Sequence, residues 1–270
     1  MNSLTKLRNK NKEGKFVCVG LDTDFQKLPS HIQLLKNPVY EFNKQIINAT
    51  ITNAAAYKIN FAFYEKDGPE GMEILKRTIE LIPSDILIIG DAKRGDIGNT
   101  SEMYAKTIFE YYKCDASTLH PYMGGDSIKP FLRYDEKLNF ILALTSNPGA
   151  ADFEKLELKD GSPLFLKVIE KVNEWNVLSN CGIVFGATNI NELKKSIPMF
   201  NNLPVLLPGV GAQGGSIEEV IRAFKEHNRY DLLINMSRGI IYKSNNIDFA
   251  EAASAELVKM NEIVKNIIDE

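Results

Sequence analysis

Residues 86–100 read ILIIGDAKRGDIGNT. The opening ILIIG (86–90) is a continuous apolar run, as expected of a strand buried on both faces. Charge begins where the run stops: Asp91, Lys93, Arg94 and Asp96 all lie within residues 91–96. Solvated charges need no such address. Strand side chains alternate with period two, so Asp91 and Lys93 are expected on one face. To stay charged, that face must open at an end of the sheet. The plainer reading is a buried ion pair that fixes the strand end, because pairing is the usual way to bury charge.

The same pattern recurs outward in both directions. Short runs rich in Val and Ile read as strands: FVCVGLD (16–22), AAYKINFAF (55–63), ILIIGDAK (86–93), ASTLHP (116–121), FILALTS (140–146), GIVFGAT (182–188), PVLLPGV (204–210) and LLINMSR (232–238). Stretches with apolar residues at helical spacing lie between them, including 71–82, 101–113, 163–175 and 216–227, and a last one covers 248–269. Ser216, followed by Glu218 and Glu219, has the chemistry of a helix start. Continuous apolar strands alternating with helices imply parallel strands buried on both faces. Eight such units predict an α/β fold of the (β/α)8 TIM barrel type. A doubly wound open sheet is the rival, since alternation does not by itself show closure. The chain is read as a single barrel domain over 1–270. Its lysine-rich start, about 1–14, is read as a solvated helix or flexible arm. The stretch NPGAADFEKLELKDG (147–161) is long for a connection after a strand, and is a candidate lid.

Bulk properties narrow the function. The 270 residues are 44% hydrophobic and 25% charged, with net charge −3, so no basic surface argues for nucleic acid. No apolar run approaches the roughly 18 residues of a membrane span. The lysine-rich start lacks the apolar core of a signal peptide. Cys18, Cys114 and Cys181 are far apart, with no CxxC and no zinc-like spacing to His31, His120 or His227. Buried reduced thiols, a cytoplasmic location and no metal site are the expectation.

Active sites of such barrels lie at the C-terminal ends of the strands. There the chain carries Asp22, Lys58, Asn60, Asp91, Lys93 and Asp96, then His120, then Thr145, Ser146 and Asn147. Pro208 with GVGAQGG (209–215) and SRG (237–239) follow. GVGAQG matches GxGxxG after a strand and before a helix, but it comes seventh of eight units and no acidic residue ends the next strand. A glycine loop cradling one phosphate monoester, with Arg238 from strand eight, fits better. The plain alternative for Gly214-Gly215 is a tight turn.

DAKRGDIGNT (91–100) resembles the DxKxxDI signature of the orotidine 5′-phosphate decarboxylase family. VGLD (19–22), KINFAFY (58–64), TSNPG (145–149), LPGVGAQGG (207–215) and SRGI (237–240) fall in that family's order and cover nearly the whole chain. The blocks look closest to its longer, type 2 class. Related sugar-phosphate barrels share a DxKxxD core. The resemblance implies a cofactor-free homodimer that converts orotidine 5′-monophosphate to UMP and CO₂, the last step of de novo pyrimidine synthesis. It further implies Lys93 as proton donor to C6, Asp91 beside the scissile carboxylate, and Lys58 linking Asp91 to the ribose. Asp96 would reach the partner subunit's site and bind a ribose hydroxyl, with Thr100 near it. Asp22 would hold the ribose, Ser146 the pyrimidine edge, and Gln213 and Arg238 the phosphate. Asn60, Pro208 and Gly214 join these as substrate-binding positions.

The chemistry fits those residue types. Loss of CO₂ from C6 leaves a poorly delocalised carbanion, and nothing in the sequence suggests a pyridoxal or thiamine site. Electrostatic stabilisation by a fixed ammonium then becomes the expected device. Burial alone would discharge a lysine, and flanking carboxylates oppose that, so Lys58, Asp91, Lys93 and Asp96 are expected to titrate as a coupled set. A different sugar-phosphate barrel needing magnesium, or a nucleotide-binding barrel without turnover, are the alternatives.

Overall fold

The computed structural model describes residues 1–211 and 214–270. Eight parallel strands close into a barrel in sequence order: β1 (Val17–Gly20), β2 (Ala56–Asn60), β3 (Leu87–Arg94), β4 (Ala116–Leu119), β5 (Leu138–Leu144), β6 (Cys181–Phe185), β7 (Val205–Pro208) and β8 (Leu232–Met236), which pairs back onto β1. Every strand expected from the sequence is present, and closure excludes the open sheet. Helices return the chain between strands: Pro38–Thr50, Gly68–Glu80, Gly98–Lys106, Gly125–Leu132, Leu164–Trp175, Ile190–Ser196 and Ile217–Glu226. Phe249–Asp269 follows β8.

Each helix turns one apolar stripe inward. In Ile217–Glu226, Ile217, Val220, Ile221 and Phe224 are buried at helical spacing. Its Ser216 cap accepts a hydrogen bond from the Glu219 N–H at 3.2 Å, and Glu218 and Glu219 sit in the first turn, where the helix dipole favours acids. Among the described residues, no helix is long and apolar enough to cross a membrane.

Alternation along the strands divides the core in two. One set fills the barrel itself: Cys18, Ala56, Leu87, Ile89, Ala116, Leu138, Phe140, Val184, Leu206 and Leu233. The opposite set packs under the helices. The inward face places Lys58 two residues after Ala56, Asp91 after Ile89, and Thr118 after Ala116. The apolar filling therefore gives way to polar groups where the strands terminate.

The start of the chain corrects an expectation. Residues Ser3–Lys12 form a helix, α1, but one face of it, with Ser3, Lys6, Leu7 and Asn11, is buried rather than solvated. Leu7 is fully buried and belongs to the barrel's interior cluster. Lys6 pairs with the buried Asp115 at 2.7 Å, Asn11 Nδ2 donates to the Leu232 carbonyl at 2.9 Å, and Arg8 donates to Asp231 at 2.7 Å. Asp115, Asp231 and Leu232 lie where β4 and β8 begin, so α1 stoppers the N-terminal mouth of the barrel. A lysine-rich helix can do this because its partners are carboxylates and carbonyls at strand starts, rather than water.

The three cysteines are buried, as expected. Burial pushes the Cys114 and Cys181 thiols up to about 12, and Cys18, inside the barrel, higher still.

Candidate active site

Asp91 and Lys93 of the opening stretch converge with Lys58 and Asp22 at the C-terminal mouth of the barrel, while Arg94 turns away to pair with Glu65. Lys58 Nζ donates to Asp91 Oδ2 at 2.6 Å and to Asp22 Oδ1 at 3.3 Å. Lys93 Nζ donates to the other oxygen, Asp91 Oδ1, at 2.7 Å. The result is a chain of alternating charge, Asp22–Lys58–Asp91–Lys93. Lys58 and Asp91 are each only 5% exposed, whereas the Lys93 side chain is 49% exposed. The array thus runs from the barrel interior to an ammonium that faces the opening.

Burial works against both inner charges, and their partners overcome it. Desolvation would raise Asp91, but the two ammonium groups of Lys58 and Lys93 hold its carboxyl well below the usual carboxylate range. Desolvation would lower Lys58, but the carboxylates of Asp91 and Asp22 hold it above the usual lysine range. Both groups remain charged at neutral pH.

Beyond Gly90, β3 departs from a regular ladder. The β3–β4 register runs from Gly90 opposite Ser117 to Arg94 opposite Leu119, so β3 bulges by two residues there. Lys93 lies in the bulge with φ +46°, a left-handed conformation that a lysine rarely adopts. Thr118 faces this bulge. Its Oγ1 accepts the Lys93 backbone N–H at 3.0 Å and donates to Asp91 Oδ1 at 2.7 Å. Sequence reading missed Thr118, because a threonine in a strand reads as ordinary β propensity.

Asp96 sits beyond β3, half-buried, and its Oδ1 accepts the Ile97 N–H at 2.8 Å. Among the described residues it forms no ion pair with Lys93 in its own chain. Thr100 is exposed in the first turn of helix Gly98–Lys106. Asn60 ends β2 opposite Asp91, and its Oδ1 accepts the Ala62 N–H at 3.2 Å.

On the far side of the mouth, Ser146 follows β5 and lies against Gly186, where a Cβ would come within 2.7 Å of the Ser146 nitrogen. The long loop after β5 is tethered here. Glu154 accepts the Thr145 N–H at 2.6 Å and the Thr145 hydroxyl at 2.9 Å. Pro208 ends β7, and its carbonyl accepts the Ala187 N–H at 2.8 Å. Gly214 has φ +93°, and its N–H donates to the Gly211 carbonyl at 2.8 Å. At Gly215, a Cβ would lie 2.8 Å from the Gly209 carbonyl oxygen, so the loop closes only with glycine there. Gln213 lies outside the described residues. Arg238 is exposed at the start of the turn Arg238–Ile241, with no acidic partner among the described residues. Beside it, Ser237 Oγ is buried without a hydrogen-bond partner.

Residues 15–253 match the family model described as "Orotidine 5'-phosphate decarboxylase / HUMPS family". An orotidine 5′-phosphate decarboxylase of Christiangramia forsetii is 49% identical over 255 residues, covering 92% of each chain. The protein of that name from Phocaeicola vulgatus is 43% identical over 274 residues, covering 99% of each. Among solved structures, the OMP decarboxylase of Leishmania donovani superposes with a TM-score of 0.83 at 34% identity, over 98% of this chain and 99% of that one.

Proposed function

The chain belongs to the orotidine 5′-phosphate decarboxylase / HUMPS family, and from that premise we propose that it converts orotidine 5′-monophosphate to UMP and CO₂. The observation that carries this reading is the Asp22–Lys58–Asp91–Lys93 array, buried at its root and open at Lys93. In this mechanism the C6–carboxylate bond breaks, CO₂ leaves, and the electron pair stays on C6. The Lys93 ammonium stabilises that charge in place and then gives C6 its proton. The neutral amine regains a proton from water, which its half-exposed side chain can reach. No metal or organic cofactor takes part.

Asp91 serves twice. It pairs with Lys93 and holds its ammonium in place at 2.7 Å. Set about 4 Å from the substrate carboxylate, it would also repel it by about 4 kcal/mol at an effective dielectric near 20, and departure of CO₂ relieves this. Lys58 neutralises the buried root of the array, and with Asp22 faces the ribose. Asn60 and Ser146 border the pyrimidine side. Gly214, Gln213, Pro208 and Arg238 hold the phosphate. Phosphate binding energy, remote from C6, drives closure of the loops after β5 and β7. Asp96 and Thr100 point to a homodimer in which Asp96 completes the neighbouring subunit's site. On this reading the chain is of the longer, type 2 class, which its sequence blocks resemble, and acts in the cytoplasm in UMP synthesis.

The test is Lys93→Ala, assayed for turnover of orotidine 5′-monophosphate and for UMP binding. Turnover is expected to vanish while substantial UMP binding remains. Near-normal turnover in the folded variant would refute the mechanism.

A further inference from the structure

Asp91 and Lys93 are two residues apart on one strand, and their side chains meet where β3 bulges between Gly90 and Arg94. In that interval β3 spends Asp91, Ala92 and Lys93 against a single residue of β4, Thr118. Ile88 and Arg94 turn their carbonyls to the β4 side and Asp91 turns its carbonyl to the β2 side, so in a regular parallel ladder the Lys93 N–H would face β2. Here it finds the Thr118 hydroxyl at 3.0 Å. A backbone N–H can only donate, so the hydroxyl must accept from it and is free to send its own proton elsewhere. Among the described residues, the carboxylate oxygen it reaches is Asp91 Oδ1, at 2.7 Å. That oxygen also receives Lys93 Nζ. Thr118 is 1% exposed, so water cannot easily replace it.

We infer that Thr118 is a positioning residue of the active site: its hydroxyl holds the Lys93 backbone in the bulge and locks the Asp91 carboxylate, so that the ammonium is aimed into the barrel mouth. Three observations meet in it: the two-residue register shift, the left-handed φ of Lys93, and a donor–acceptor relay running from Lys93 N–H through Oγ1 to Asp91. Valine has the same shape without the relay. Serine keeps the relay without the methyl group.

The inference rests on the decarboxylase reading, so one experiment separates the two. Wild type, Lys93→Ala, Thr118→Val and Thr118→Ser are compared for kcat and KM on orotidine 5′-monophosphate, for UMP affinity, and for the pH profile of kcat. A misplacement of the reacting group by about 1 Å costs roughly 100-fold, so Thr118→Val is expected to lower kcat by roughly 10- to 100-fold. Its KM and UMP affinity should stay within roughly threefold, because the lost interaction serves the reacting group rather than ground-state binding. The pH profile of kcat should shift, and Thr118→Ser should recover most of the rate. If Thr118→Val fails to fold, Thr118→Cys, similar in size with a weak donor, carries the same expectation.

A valine or cysteine variant with kcat within twofold of wild type would overturn the inference. So would equal losses in Thr118→Val and Thr118→Ser. Failure of the wild type itself to turn over substrate would overturn the decarboxylase reading instead.

Discussion

Removing the charge at Asp91 tests the array at its root. In Asp91→Asn the buried Lys58 keeps only Asp22, at 3.3 Å, in place of partners at 2.6 and 3.3 Å. At an effective dielectric near 20 these two attractions are about 6 and about 5 kcal/mol, so the variant forfeits the larger. Part of this is returned, because an amide is cheaper to bury than a carboxylate. The net cost falls in the range of about 3–5 kcal/mol typical of breaking a buried pair. With a melting shift of about 2–4 °C per kcal/mol for a chain of this size, thermal unfolding at pH 7 should drop by about 10 °C.

The pH dependence of that difference has a defined sign. Asp91 is held low in the folded protein, so its contribution is present above the unfolded carboxylate value of about 3.9 and is lost as pH falls through the folded value. Wild type therefore loses stability below about pH 4, while the variant has no such contribution to lose. The gap between the two should narrow from pH 5 to pH 3 in calorimetric melts. A variant that melts within about 2 °C of wild type at pH 7 would refute the reasoning, on the same size scaling. So would a gap that stays constant through the acid range.

Three further outcomes are expected. Leu7→Ala removes a fully buried side chain of the barrel stopper and should destabilise by about 3 kcal/mol in denaturant titrations, without altering the arrangement of the catalytic mouth. Arg238→Ala should weaken UMP binding by roughly 10- to 100-fold, the loss of charge-assisted phosphate bonds worth about 1.5–3 kcal/mol, while uridine binding measured by calorimetry stays unchanged. Asp96→Ala and Lys93→Ala subunits, each impaired alone, should recover activity when mixed and allowed to exchange; no recovery after confirmed exchange would exclude a shared site.

The barrel was legible because buried parallel strands write themselves as unbroken apolar runs, and eight of them alternate with helical spacing. The candidate site was legible because Lys58, Asp91 and Lys93 interrupt those apolar runs at their ends. What escaped detection depended on distant partners or on backbone irregularity. Lys6 and Leu7 stopper the barrel through Asp115, over a hundred positions away, and a lysine-rich start otherwise reads as a solvated face. The bulge in which Lys93 meets Asp91 is a mismatch in register between two strands, which neither strand's composition encodes. Thr118 matters only because of that bulge. Glu154 tethers the long loop after β5 to Thr145, a bond that pattern alone does not announce.

The most direct measurement follows the loss of orotate absorbance when purified protein meets orotidine 5′-monophosphate in EDTA with no added cofactor. The account predicts stoichiometric conversion to UMP and CO₂ at an undiminished rate. Folded protein that leaves the substrate unchanged, or acts only once magnesium is restored, would contradict it.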